Sequence, residues 1–167
     1  HPAAKKVRIA GSFRRKKSTI GDLDILVVSD KASKVMDHFV NMPEVKEVLA
    51  KGPTKSSVRL TNNLQVDLRV VHEKEFGAAL LYFTGSKEHN IELRKLALSK
   101  GWTLNEYGLF TLKGKRWIAG RTEEEIYNKL GLRYIEPEDR LGKNEIIKMR
   151  ETVSPRPKGR GLNRDGF

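Results

Sequence analysis

The sequence predicts an α+β fold, in which a mixed sheet with helices is followed by a small α+β subdomain. Strand-like runs dominate the first part of the chain, and longer helical runs begin near residue 75. Periodicity is lost near residue 148, where the chain becomes basic and rich in proline and glycine. We therefore predict a first domain over residues 1–74, a second over 75–147 and a basic, disordered tail over 148–167.

The first domain consists of predicted strands around one helix. The strands are predicted at residues 7–10, 23–28, 45–49, 57–60 and 64–71. The helix at 32–42 has apolar residues at helical spacing. The third and fourth strands form a hairpin around Gly52-Pro53, which is a typical turn sequence.

The second domain mixes helices with a strand pair. Helices are predicted at residues 75–83 and 86–100, and the strand pair at 102–112. Ser86 is the N-cap of the second helix, and Gly101 ends it. Thr122 and Glu125 form a capping box for a short third helix that stops at Gly131.

Charge and composition narrow the classes of function. The chain has 33 lysines and arginines against 21 acidic residues, a net charge of +12, which favours a polyanionic partner. It has no cysteine, so disulfides, cysteine nucleophiles and cysteine zinc sites are excluded. The four histidines lack metal-ligand spacing, and we expect each to be an ordinary surface or half-buried residue.

The sequence also bounds location and assembly. No apolar run approaches the roughly 20 residues of a membrane span, and no signal-peptide pattern is present. We expect no membrane partner, and a cytoplasmic, nucleoid-associated location in a prokaryote or a nuclear one in a eukaryote. Nothing in the sequence demands self-association, so a monomer is expected.

Three aspartates are candidate metal ligands and catalytic residues. Side chains alternate along a strand, so Asp22 and Asp24 share one face while apolar residues take the other. Asp67 lies on the polar face of the strand at 64–71. If the two strands are neighbours, three carboxylates meet on one face. Oxygen ligands of this kind suit Mg²⁺, or Mn²⁺ in its place.

Taken alone, the acids are better explained as part of a solvated strand, for Asp22 and Asp24 and still more for Asp67. The conjunction with a Gly-Ser turn that precedes Asp22 favours a site for nucleotidyl transfer. Two metal ions in such a site lie about 3.5–4 Å apart. Asp22 and Asp24 could bridge both ions, and Asp67 would bind the ion beside the attacking hydroxyl, where it could accept the proton.

A basic loop that precedes these acids is suited to phosphate. Gly11 lets the backbone approach a phosphate, and Ser12 offers a hydroxyl. Arg15 supplies a planar fork that binds phosphate oxygens in pairs. The other basic residues of the loop are expected to be solvated: Arg14, Lys16 and Lys17.

These motifs resemble family X of the DNA polymerases, the group of DNA polymerase beta. The matching runs are Gly11-Ser12-x-x-Arg15, Gly21-Asp22-x-Asp24, the strand of Asp67, Tyr82-Phe83-Thr84-Gly85-Ser86 with Asn90 and Arg94, Asn105 to Gly108, and Tyr134 to Arg140. The resemblance covers residues 7–142. It implies a nucleotidyltransferase-type palm over residues 1–74 and a nucleotide-selection subdomain, or thumb, over 75–147.

The resemblance also implies roles for individual residues. The implied nucleotide-binding residues are Gly11, Ser12, Arg15, Gly21, Tyr82, Phe83, Gly85, Ser86 and Asn90. The implied DNA-binding residues are Arg69, Lys87 and Arg94. In the family, the Gly85–Ser86 peptide is cis. Independently of the resemblance, Lys87, Asn90 and Arg94 share one polar face of a helix, which alone would indicate an ordinary solvated face.

Two positions depart from DNA polymerase beta. Gln65 stands where that polymerase has arginine, which changes the surroundings of Asp67, and Lys87 stands at a position that is acidic there. The family's N-terminal lyase domain and helix-hairpin-helix elements are not found in this sequence, nor is the phosphoesterase domain of bacterial and archaeal members. We therefore expect a catalytic core that binds nucleotide and holds DNA weakly, with a strong dependence on salt.

The predicted function is a template-directed, Mg²⁺-dependent DNA polymerase core that adds dNTPs to a primer 3′-hydroxyl during repair. Its partners would be gapped or nicked primer-template DNA and a dNTP. Two alternatives stay open: another nucleotidyltransferase with the same palm, and a nucleotide- or DNA-binding core that is inactive without further domains. The run from Tyr82 to Ser86, with Asn90 and Arg94, argues against the first, and the three intact aspartates argue against the second.

Overall fold

A five-stranded mixed sheet organises the first half of the chain in the computed structural model, which describes residues 1–17 and 21–147. The strands are β1 (Lys6–Ala10), β2 (Asp22–Val28), β3 (Val45–Lys51), β4 (Lys55–Leu60) and β5 (Gln65–Val71). Their order is β1-β2-β5-β4-β3, with β2 and β5 parallel and the other neighbours antiparallel. The predicted tail at 148–167 lies outside the described residues.

Two helices belong to this half. They are α1 (Gly11–Arg14) and α2 (Ala32–Val40). The predicted Gly-Ser turn is therefore one helical turn. The second helix ends at Val40, two residues before the predicted end, because the Asn41 N–H bonds to the His38 carbonyl as in a 3-10 turn.

Both faces of the sheet are covered, and each by a different helix. The face under α2 holds apolar side chains from the helix and the strands: Val27, Val35, Met36, Phe39, Val58, Val66, Leu68 and Val70. The opposite face begins with Asp22 and Asp24 and continues into Leu26 and Val28, which pack under α3 (Phe76–Thr84). The end of β2 that carries Asp22 and Asp24 is thus accessible, whereas the end that carries Leu26 and Val28 is buried.

The second half is built on helices and a three-stranded sheet. Besides α3, the elements are α4 (Lys87–Ser99), β6 (Trp102–Asn105), β7 (Gly108–Thr111), β8 (Trp117–Ala119), α5 (Glu123–Lys129) and 3-10 turns at Glu73–Glu75 and Pro137–Asp139. The predicted strand pair is β6 with β7. The third strand, β8, has only three residues and was not predicted. The α+β fold class is confirmed.

Helix α3 joins the two halves of the chain. Phe76, Ala79 and Leu80 pack against β1 and β2, while Ala78 and Leu81 belong to the core of the second half. The predicted domain boundary at residue 74 lies just before this helix and stays a prediction. No helix among residues 1–17 and 21–147 is long and apolar enough to cross a bilayer.

Candidate active site

The acidic residues lie where the alternation of the strands predicts. Asp24 and Asp67 are direct register partners on the parallel strands β2 and β5, and Asp22 pairs with Gln65. Residues at paired positions of neighbouring strands share a face. The expectation that these two strands are neighbours is therefore confirmed, and the three aspartates lie on one face of the sheet.

Two of these three carboxylates form hydrogen bonds with neighbouring polar side chains. Arg69 Nη1 lies 3.4 Å from Asp24 Oδ1, and Gln65 Nε2 donates to Asp67 Oδ1 at 3.1 Å. Burial raises the pKa of Asp24, and the charges of Asp67 and Asp22 act in the same direction, while Arg69 opposes them. The crowding of negative charge at Asp24 makes this point attractive to a cation.

Gly11 lies against Asp24. It belongs to the loop from Gly11 to Arg15 that was predicted to bind phosphate, which we call the phosphate-type loop. The φ of Gly11 is +71°, and a Cβ at this position would lie 2.6 Å from Asp24 Oδ2. A larger residue would therefore be strained and would also collide with the carboxylate. Ser12 and Arg15 follow in the same helical turn, so the loop and the acids form one site.

Arg15 connects this loop to the Gly85 region. Its Nη1 donates to the Thr84 carbonyl, and its buried Nε has no hydrogen-bond partner within the described part of the chain. Gly85 has a φ of +74°, and a Cβ there would lie 2.9 Å from Arg15 Nη1. The Gly85–Ser86 peptide is cis, as the resemblance implies.

A single open cleft collects most of the predicted residues. It has a volume of about 460 Å³. Its lining consists of Gly11, Ser12, Arg15, Asp24, Tyr82, Phe83, Thr84, Gly85, Lys87, Asn90 and Arg94. Every residue of this lining except Thr84 was predicted as a site residue from the sequence. The cleft joins the loop of the first half to helices α3 and α4.

Helix α4 presents its predicted polar face to this cleft. Lys87, Asn90 and Arg94 line it, and the Asn90 amide donates to the Tyr82 carbonyl at 2.8 Å. The opposite face packs into the core of the second half. Ser86 is outside the cleft lining, and its hydroxyl caps α4 by accepting from the His89 N–H at 3.2 Å.

Other predicted residues lie beside the cleft rather than in its lining. These are Gly21, Asp22, Asp67 and Arg69. Arg69, which was predicted to bind DNA, lies over the Phe83 ring with its guanidinium carbon 3.9 Å from the centroid, and it pairs with Asp24. Its present contacts are therefore within the site, and its role toward DNA stays a prediction.

The expectation that Arg14 is solvated is wrong. Its guanidinium donates to both Glu123 oxygens, at 2.7 and 2.6 Å, and to the Thr84 hydroxyl at 2.8 Å. Glu123 is buried and also accepts from Arg140 at 2.8 Å. Burial opposes ionisation of Glu123, but hydrogen bonds from both arginines outweigh it and lower its pKa.

The expectation for the histidines is wrong at His89, which is fully buried in α4. Its Nδ1 lies 2.6 Å from Glu145 Oε2, and its Nε2 lies 2.9 Å from the Tyr127 hydroxyl. Sequence reasoning missed both this group and the Arg14–Glu123 pair. Their partners are far apart along the chain, and no local pattern marks them.

The ligand types at this site are those that a divalent cation prefers. Asp22, Asp24 and Asp67 supply only hard carboxylate oxygens from adjacent strands, as Mg²⁺ prefers. Within residues 1–17 and 21–147, no three acidic or histidine side chains stand close enough to ligate an ion in their present rotamers. Arg69 and Gln65 each engage one oxygen of two of these carboxylates, Asp24 and Asp67, in the present arrangement.

Family models match both halves of the chain. The model described as DNA polymerase beta palm matches residues 2–96, and the model described as DNA polymerase beta thumb matches residues 79–141. The two matches overlap over residues 79–96, which include most of α3 and of α4. Together they take in every residue of the cleft.

Individual proteins agree with the family models. DNA polymerase/3′-5′ exonuclease PolX of Bacillus subtilis is 38% identical over 82% of this chain and 24% of its own length. Repair DNA polymerase X of African swine fever virus is 29% identical over 83% of each protein. The crystal structure of the Leishmania infantum polymerase beta ternary gap complex has a TM-score of 0.71 and 27% identity, over 81% of this chain and 62% of that one. The chain thus spans about a quarter of the bacterial relative's length.

Proposed function

The chain belongs to family X of the DNA polymerases, and from this premise we propose that it is a template-directed polymerase core that adds dNTPs to a primer 3′-hydroxyl in gapped DNA. The observation that carries the proposal is the cleft of about 460 Å³. It unites a glycine-bearing anion loop, an acidic strand end and a polar helix face.

The triphosphate would bind at the loop. Ser12 and Arg15 line the cleft, and the buried Arg15 Nε, which has no hydrogen-bond partner among residues 1–17 and 21–147, would donate to an anion. A buried donor without a partner costs stability unless something pairs with it. Phosphate oxygens would supply that partner, with the Gly21 amide as a further donor.

The base and sugar would lie toward α3 and α4. Tyr82 and Phe83 offer ring surface next to Gly85, and Asn90 offers an amide. Its hydrogen bond to the Tyr82 carbonyl can be exchanged for one to a base edge. Lys87 and Arg94 carry positive charge on the same side, where they would meet DNA phosphates or the template strand.

The aspartates would hold two Mg²⁺ ions, which when bound would acidify the primer hydroxyl and offset charge on the departing pyrophosphate. Asp22 and Asp24 would be the shared ligands. Asp67, at the same register on the neighbouring strand, would accept the proton of the hydroxyl. Its hydrogen bond from Gln65 keeps one of its oxygens engaged and leaves the other available.

A second candidate is a core that binds nucleotide without turnover. The similarity to the Bacillus subtilis protein leaves it open, because that similarity extends over only 24% of that protein's length. The viral relative favours the first candidate, since this chain covers 83% of a protein named a repair polymerase. The two candidates agree on nucleotide binding and differ only in incorporation.

Primer extension on a one-nucleotide-gapped duplex separates them. We expect incorporation of the templated dNTP with Mg²⁺ at low salt, and a steep loss as salt rises, because phosphate contacts dominate DNA affinity. Asp67→Asn should abolish incorporation and keep Mg²⁺–dNTP binding. Asp30→Asn, which neutralises an exposed aspartate, is the matched control, and this variant should extend the primer normally. Nucleotide binding without incorporation by the unchanged protein would favour the second candidate.

A further inference from the structure

Helix α4 is anchored at its first turn by a buried group outside the cleft. We define this group as the His89 anchor, formed by His89, Tyr127 and Glu145. His89 Nδ1 lies 2.6 Å from Glu145 Oε2, and His89 Nε2 lies 2.9 Å from the Tyr127 hydroxyl. The two partners come from α5 and from the segment at residues 140–147, so the anchor joins three parts of the second half.

The hydrogen bonds of the anchor define one arrangement of protons. A carboxylate only accepts, so His89 Nδ1 carries the hydrogen that Glu145 receives. His89 Nε2 then accepts from the Tyr127 hydroxyl. Burial raises the pKa of Tyr127 and lowers that of His89, which keeps the phenol protonated and the imidazole neutral. All polar atoms of this buried group are paired.

Glu145 is itself held from a second side. Its carboxylate accepts from the backbone N–H groups of Gly142, at 2.8 Å, and Lys143, at 2.7 Å. A Cβ on Gly142 would overlap Glu88 and would lie 3.0 Å from the His89 nitrogen. The 140–147 segment therefore packs directly on the first turn of α4, where only glycine fits.

The same segment reaches the loop that precedes α4. The Ser86 N–H donates to the Arg140 carbonyl at 3.3 Å, and the Ser86 hydroxyl caps the His89 N–H. His89 is followed at once by Asn90, which lines the cleft. A shift of the His89 ring would thus move Asn90 and the Gly85–Ser86 loop together.

We propose that His89 is a positioning residue for the incoming nucleotide, which fixes the first turn of α4 through Tyr127 and Glu145 and so sets the place of Asn90 in the cleft. The inference rests on the proposed function, because it assumes that the cleft binds a nucleotide. It adds the 140–147 segment to nucleotide recognition, although none of these residues lines the cleft.

Two variants that perturb the anchor test this inference. Tyr127→Phe deletes one hydroxyl and keeps the ring, and Glu145→Gln replaces one of the two oxygens that accept from His89, Gly142 and Lys143 by an amide donor. For each we expect the nucleotide KM and the Mg²⁺–dNTP dissociation constant to rise roughly threefold to tenfold, the value of one hydrogen bond. The kcat should change less than twofold, because the aspartates are not moved.

Leu96→Val is the matched control, because Leu96 is buried in the same helix but away from the anchor. It should lower the thermal midpoint without raising KM. If the anchor variants bind nucleotide as tightly as the unchanged protein, or if Leu96→Val weakens nucleotide binding equally, the positioning role is overturned while the polymerase proposal stands.

Direct nucleotide titration keeps the two proposals apart. A protein that binds Mg²⁺–dNTP but fails to extend a primer contradicts the polymerase proposal. Weaker binding in Tyr127→Phe and Glu145→Gln would then still support the positioning role. If the unchanged protein binds no nucleotide at all, both proposals are overturned.

Discussion

Arg14 donates a paired hydrogen bond to Glu123, at 2.7 and 2.6 Å, and so ties the loop of the first half to the start of α5 in the second. The Glu123 carboxylate is almost fully buried and accepts from Arg140 as well. Thr84 joins the same group through Arg14. The phosphate-type loop and the Gly85 region are therefore held together by charge and not only by apolar packing.

Glu123→Gln should destabilise the fold markedly. The substitution leaves two guanidinium groups facing a neutral amide, and removing one partner of a buried ion pair costs about 3 kcal/mol or more. Urea unfolding measures the change. The exposed pair of Lys51 and Asp37, at 2.5 Å, gives the control, since Asp37→Asn should cost less than about 1 kcal/mol. Equal effects of the two variants would contradict the role of the buried group.

The local parts of the site could be predicted from the sequence, and the long-range parts could not. Alternation along β2 and β5 places Asp22, Asp24 and Asp67 on polar faces, since a strand has a fixed period of two. That the two strands are neighbours follows from sheet order, which no local pattern encodes. The sequence predicted only that the carboxylates would meet if the two strands were neighbours. The register of Asp24 and Asp67 shows that they are.

Buried polar groups were missed for a related reason. Arg14 and Glu123 are separated by 109 positions, and His89 and Glu145 by 56. Charged residues are mostly exposed, so the sequence alone predicts that each of them is solvated. Only the packing of α5 and the 140–147 segment against the loop and α4 makes them partners.

Gly11→Ala should impair catalysis more than stability. A Cβ at this position would lie 2.6 Å from Asp24 Oδ2, so either the loop or the carboxylate must move. A displacement of about 1 Å at a reacting group can cost roughly 100-fold in rate. Primer extension at saturating dNTP measures the loss.

Gly114→Ala provides the matched control for Gly11→Ala. Gly114 also has a positive φ, +81°, but nothing lies within 4 Å of its added Cβ. It should carry the same kind of backbone strain, about 1–2 kcal/mol, and extend normally. A comparable loss of extension in both variants would mean that strain, and not the contact with Asp24, explains the effect.

Arg15→Lys should weaken nucleotide binding although the charge is kept. Lysine cannot donate in a planar fork, so it cannot bond to the Thr84 carbonyl and to a phosphate together. Loss of a hydrogen bond to a charged group predicts a roughly 10- to 100-fold rise in the dNTP dissociation constant. Lys16→Ala, in which an exposed side chain of the same loop is removed, should leave the affinity unchanged. An unaltered affinity in Arg15→Lys would remove Arg15 from the phosphate site.

His89 makes stability depend on pH in a defined direction. Burial lowers the pKa of His89 below its ordinary value of 6.5, against the opposing hydrogen bond to Glu145; the charges of Arg140 and Glu123 are the other nearby contributions. Below pH 6.5 the unfolded chain therefore binds a proton that the folded chain refuses. The free energy of unfolding should fall as the pH drops from 6.5, by at most about 1.4 kcal/mol per pH unit. Above 6.5 this group contributes no slope.

Urea unfolding of the unchanged protein and of His89→Gln, between pH 5 and 8, isolates this contribution. Glutamine does not titrate, so the difference in the free energy of unfolding between the two proteins should be largest above pH 6.5 and should shrink below it. Groups that do not contact His89 are common to both proteins and cancel in the difference, and Glu145, whose pKa is lowered from 4.5, titrates below this pH range. A constant difference over the whole range would mean that His89 ionises as readily in the folded protein as in the unfolded chain. The assignment of a neutral, hydrogen-bonded imidazole to His89 in the anchor would then be wrong.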